Sequence, residues 1–97
     1  MYLNRANKVL GVTVLSQGGI TRTVVDIRLT ISIALKCAAT SIVLCHNHPS
    51  GNLKPSRADE EVTSKIKQAA QLFDITVQDH LIITDENYFS FADDGLL

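Results

Sequence analysis

The run Ser41-Ile42-Val43-Leu44-Cys45 constrains the fold of this chain more than any other stretch. It is short, apolar and rich in branched side chains, the pattern of a strand covered on both faces. His46-Asn47-His48 follows, and Pro49 and Gly51 end the strand. Ser56-Arg57-Ala58-Asp59 then has the spacing of a capping box and opens a helix. That helix runs to about Phe73, with Val62, Ile66, Ala69, Ala70 and Phe73 on one side. Ile75 to Ile83 reads as the next strand and Asp85-Glu86-Asn87 as its turn. Tyr88 to Phe91 returns as a final short strand.

Upstream, Lys8 to Leu15 alternates loosely around Val9, Val12 and Val14. After the turn Asn4-Arg5-Ala6-Asn7 it reads as the second strand of a hairpin, which Gln17-Gly18-Gly19 breaks. Asp26 caps a helix to about Ala39, with Ile27, Ile31, Ala34, Leu35 and Ala38 as its apolar stripe. Thr30, Ile31 and Ile33 are branched and mildly disfavour helix, a preference that burial overrides. The order β-β-α-β-α-β-β predicts an α/β domain on a mixed sheet. Tyr2 and Leu3 make a very short first strand, which predicts that the true strand begins upstream of Met1.

Length and charge narrow the function classes. A chain of 97 residues fits one domain with a single core. The net charge is −1, and nine Lys and Arg are spread thinly, which argues against strong nonspecific nucleic-acid binding. Cys37 and Cys45 both read as small buried hydrophobes rather than a disulfide framework. A reducing cytoplasm is the simpler home. The apolar stretches are too short for a membrane span.

The chemistry concentrates between His46 and Asp59. Two histidines one residue apart in an extended chain point to the same side. Asp59, in the first turn of the following helix, folds back as a third ligand. Two imidazoles and a carboxylate make a three-ligand zinc site with its fourth position open to water. Zinc there generates hydroxide near neutral pH and polarises a carbonyl. Ser56 either donates to a developing oxyanion or only caps the helix, and it can do both. Taken singly, each residue has an ordinary explanation, a surface histidine or a helix cap. Their order within one short window is what points to an ion. His80 is a substrate-side or ligand-supporting group, or a satisfied structural histidine. Cys45 points to the opposite face from His46 and fits the core better than the ion. Asp74, Asp93 and Asp94 read as turn or terminal residues, and Glu60 and Glu61 suit the positive end of the helix. A general base is missing from this inventory: before His46 the acidic residue is Asp26, a helix cap.

His46-x-His48-Pro49 followed by Ser56-x-x-Asp59 resembles the signature of the JAB/MPN (JAMM) metalloenzymes. The fuller strings His46-Asn47-His48-Pro49-Ser50-Gly51 and Pro55-Ser56-Arg57-Ala58-Asp59 are similar to the bacterial RadC family within that group. So are Asp79-His80-Leu81-Ile82-Ile83 and Gly95-Leu96-Leu97. The resemblance covers nearly the whole chain and implies a RadC-like JAB/MPN domain over residues 1–97, shortened at its N-terminus. It implies a three-layer fold similar to cytidine deaminases, a mixed sheet flanked by helices. It implies zinc on His46, His48 and Asp59, Ser56 at the oxyanion, and hydrolysis of an amide or isopeptide bond in a protein or peptide. The family's general-base glutamate falls at a position before Met1.

Two other classes compete. MPN domains without activity serve as interaction modules, and RadC proteins are named for DNA repair, which raises a nucleic-acid role. Neither an HNH nuclease nor a zinc deaminase fits the residues. The first disperses its motif over a ββα unit. The second needs a Pro-Cys-x-x-Cys pair, and Asn47 stands where its glutamate belongs.

Overall fold

The computed structural model describes residues 1–13, 26–48 and 51–97. Its elements are β1 (Tyr2–Leu3), β2 (Val9–Gly11), α1 (Ile27–Lys36), β3 (Ser41–Asn47), α2 (Arg57–Gln71), β4 (Thr76–Ile83) and β5 (Tyr88–Ser90). The strands form one sheet in the order β2-β1-β3-β4-β5. β3 and β4 are parallel, while β1 is antiparallel to both β2 and β3, and β5 to β4. The sheet is therefore mixed, as expected.

The topology fixes where the helices go. β2 runs parallel to β3, because each is antiparallel to β1. The connections β2-α1-β3 and β3-α2-β4 therefore both join parallel strands, and both step in the same direction across the sheet. Right-handed crossovers of this kind place both helices on one face. In agreement, α1 packs against α2, and both feed one core with Tyr2, Ile42, Ile75 and Val77 from the sheet side. Ile31 and Ala34 come from α1, and Ile66 and Ala70 from α2. Of the three layers expected, the described residues supply the sheet and one helical layer.

Several boundaries differ from the sequence expectation. β2 ends at Gly11, and the rest of the expected strand beyond Thr13, like the break at Gln17-Gly18-Gly19, lies outside the described residues. Asp26 caps α1 as expected, its Oδ1 accepting from Leu29 N–H at 3.2 Å. The helix stops at Lys36 rather than near Ala39. Ala38 turns left-handed at φ 56°, and Ala39 N–H donates back to Ala34 O at 2.9 Å. Leu35 and Ala38 consequently leave the expected apolar stripe and are exposed, Leu35 by 48%. α2 likewise ends at Gln71, Asp74 turns left-handed, and Phe73 is 51% exposed instead of packed.

β3 runs beyond Cys45 because β4 continues to partner it, with His46 beside Ile82 and Asn47 beside Ile83. His48 N–H extends the ladder by donating to Ile83 O at 3.0 Å. Cys45 is exposed, not core: alternation turns it away from the helical face. Cys37 is half-buried.

Candidate metal centre

Leu44 and His46 alternate with Cys45, so His46 emerges on the helical face at the carboxyl end of β3. His48 follows one pleat further on. Their Nε2 atoms stand 2.8 Å apart. Asp59 approaches from the first turn of α2, with Oδ1 3.3 Å from His46 Nε2 and Oδ2 3.3 Å from His48 Nε2. The three expected ligands are thus together, with ligating atoms all within 4.8 Å of one another, and each is half-buried.

Each expected ligand is held from behind. His48 Nδ1 lies 2.6 Å from Asn52 O, and because a carbonyl only accepts, the ring donates from Nδ1. Asp59 is fixed by a reciprocal cap: Ser56 N–H donates to its Oδ2 at 2.7 Å, and its own N–H donates to Ser56 Oγ at 3.0 Å. Ser56 is therefore a helix cap. A hydroxyl that accepts one bond still has a proton to give, so the oxyanion role stays chemically open.

His46 Nδ1 lies 2.8 Å from His80 Nε2. His80 stacks on Phe91, with ring centroids 4.5 Å apart and planes 14° from parallel. Its Nδ1 meets Thr63 Oγ1 at 2.5 Å, and Thr63 Oγ1 donates to Asp59 O at 2.7 Å. Thr63 is a residue that sequence reasoning missed. The available signal was its position four residues after Asp59, on the same helical face. Asp79 pins β4 behind this group, accepting from His80 N–H at 2.7 Å and Ala92 N–H at 3.0 Å.

The protonation tendencies suit a cation among these groups. Burial pushes the Asp59 carboxyl up. The Ser56 hydrogen bonds and the His46 and His48 charges outweigh it and leave it below the usual range. Burial lowers His46, with Asp59 partly opposing. His80 falls to about 4, through burial and then the His46 charge. The two rings that touch each other therefore resist protonation, while the carboxylate keeps its charge.

A mixed sheet with its helices crossing on one face, and a His-x-His pair meeting a helix-capping aspartate at the end of the central parallel strand, define a JAB-type domain. The family model described as the RadC-like JAB domain matches residues 1–96, and the chain belongs to that family. A UPF0758 protein of Flavobacterium johnsoniae is 50% identical over 99% of this chain and 42% of its own length. A UPF0758 protein of Porphyromonas gingivalis is 44% identical over the whole chain and 43% of its own. The UPF0758 protein YfjY of Escherichia coli is 43% identical over the whole chain and 61% of its own. The chain spans about two-fifths of the first two relatives.

Proposed function

We propose that this chain is a zinc-dependent hydrolase domain acting on a protein or peptide, with the ion held by His46, His48 and Asp59. One observation carries this: lone-pair donors converge on a single point. His48 has committed its ring proton to Asn52 O, so its Nε2 faces the site bare. That nitrogen, His46 Nε2 at 2.8 Å and the Asp59 carboxylate at 3.3 Å crowd one another, and a positive charge among them relieves it. Burial keeps the ring of His46 neutral, the form that ligates a metal. Two imidazole nitrogens and one carboxylate suit zinc, with its open fourth position.

Bound there, zinc would acidify a water and polarise a substrate carbonyl. Ser56 Oγ–H, at the N-terminus of α2, would donate to the oxyanion that develops on that carbonyl. The general base would come from sequence upstream of Met1. Tyr2 pairs with Ile42 and Leu3 with Ser41, antiparallel. The same strand continued upstream would pass Leu44 and then His46. A glutamate there, on the pleat facing the helices, would sit beside the ligands.

The test has two parts. The gene upstream of Met1 should encode a glutamate within a few residues of Tyr2. The protein carrying that sequence should bind one zinc per chain and cleave a peptide or isopeptide bond when zinc is present. Zinc binding without turnover would instead favour a non-catalytic MPN-type interaction module. That second reading has one observation behind it: among the described residues, Asp59 is the one acid in the cluster. A DNA-repair role gains nothing from a net charge of −1. Among the described residues no helix is long and apolar enough to cross a membrane. We place the domain in the cytoplasm, and fractionation of cells expressing the tagged gene checks it.

A further inference from the structure

Building on the zinc site proposed above, we propose that His80 and Thr63 are positioning residues that fix the tautomer of His46 and so aim its Nε2 lone pair at the ion.

The direction of the chain is set from its far end. Asp59 O is a backbone carbonyl and only accepts, so Thr63 spends its hydroxyl proton there, at 2.7 Å. Thr63 Oγ1 must then accept from His80 Nδ1–H, at 2.5 Å. A neutral imidazole with its proton on Nδ1 carries a bare Nε2. His80 Nε2 therefore accepts, and His46 Nδ1–H donates to it at 2.8 Å. His46 is left with no proton on Nε2, the nitrogen that faces His48 and Asp59. With His80 neutral, the form that its burial favours, each assignment forces the next from that one carbonyl.

The relay returns to where it started. It begins on the side chain of one ligand, His46, and ends on the backbone of another, Asp59. It crosses β3, β4 and α2, so those elements are held in register by the groups that set the metal face. Both intermediates are buried, His80 at 4% and Thr63 at 2% exposure, so water does not compete for the bonds. Ring stacking on Phe91 holds the plane of His80. A ligating histidine ordinarily donates its second N–H to a carboxylate, a carbonyl or water, as His48 does to Asn52 O. An imidazole in that place needs its own proton controlled, and Thr63 supplies the control.

Two readouts on the purified chain test this. Nitrogen NMR of the imidazoles in zinc-free native protein should show His46 protonated on Nδ1, and His80→Phe should turn it into a mixture of tautomers. His46 lacking a proton on Nδ1 in the native chain would overturn the proposal. Zinc affinity, measured by chelator competition, should fall about 10- to 100-fold in His80→Phe, which keeps the stack on Phe91. It should fall several-fold in Thr63→Val and recover partly in His80→Gln, whose amide oxygen can accept from His46. Native affinity in His80→Phe would overturn the proposal. So would a loss no larger than that of Ile66→Val at a matched melting temperature. If the native chain binds no zinc, the metal site itself fails, and the tautomer measurement still decides between these outcomes for the relay.

Discussion

At the scale of single residues, Ser56 and Asp59 hold each other independently of any metal, and their substitutions should separate stability from binding. Ser56→Ala removes the acceptor for Asp59 N–H but keeps the Ser56 backbone bond to the carboxylate. It should cost about 1 kcal/mol in denaturant unfolding and leave zinc affinity within a few-fold. Asp59→Asn retains an oxygen for the cap but loses the charge, and should weaken zinc by more than about 100-fold, beyond the range of supporting groups. His80 adds an acid-sensitive term in the metal-free protein. Its pKa falls from 6.5 to about 4 in the fold, so between those values the unfolded chain binds the extra proton. Stability is then complete above pH 6.5 and declines as pH drops towards 4, by roughly 3 kcal/mol at most. Denaturation series from pH 7 to pH 4 should show that slope, and His80→Phe should flatten much of it. His46, lowered from 6.5, contributes in the same sense and range, while Asp59, lowered from 3.8, does so further into acid. The convergence of His46, His48 and Asp59 was legible in the sequence because a strand pleat and a first helical turn fix where short spacings point. His80 was legible only as one of two alternatives, because its approach to His46 depends on the register between β3 and β4. That register slips at Ile42/Val43 and brings His80 level with Leu44.

At the scale of elements, α2 decides whether the site exists. It carries Asp59 at one end and Thr63 a turn later, and it is seated by Ile66 and Ala70, both fully buried. Ile66→Ala should destabilise the fold by about 2–5 kcal/mol, read from the unfolding midpoint. Because the seat lies on the same helix, two turns beyond the carboxylate, zinc affinity should fall alongside stability. The strands and helices themselves were legible: apolar periodicity and two capping signals give their order and starts. The helix ends were not. Both are closed by left-handed non-glycine residues, Ala38 and Asp74, so the usual glycine signal is missing. The exposure of Cys45 was hidden for another reason. A branched apolar run predicts cover on both faces, yet both crossovers carry their helices to the same side.

At the scale of the whole molecule, a bound ion would act as a cross-link. His46 and His48 stand at the end of β3, Asp59 on α2, and the His80 relay ties both to β4, so one ion would brace the β3-α2-β4 crossover that joins the sheet to its helical layer. These groups have no common arrangement in the unfolded chain, so zinc that binds the folded form must stabilise it in proportion to occupancy. At a free zinc concentration one hundred times the dissociation constant, the gain is about 2.7 kcal/mol. In a domain of 97 residues, that corresponds to a rise in melting temperature on the order of 10–20 °C. Calorimetry with zinc and then with excess chelator should show the rise and its full reversal. The double variant His46→Ala/His48→Ala should melt at one temperature under both conditions. A native protein indifferent to zinc by the same measure would mean that the three side chains meet for structural reasons alone. The close approach of the two Nε2 atoms would then need a shared proton in place of a metal.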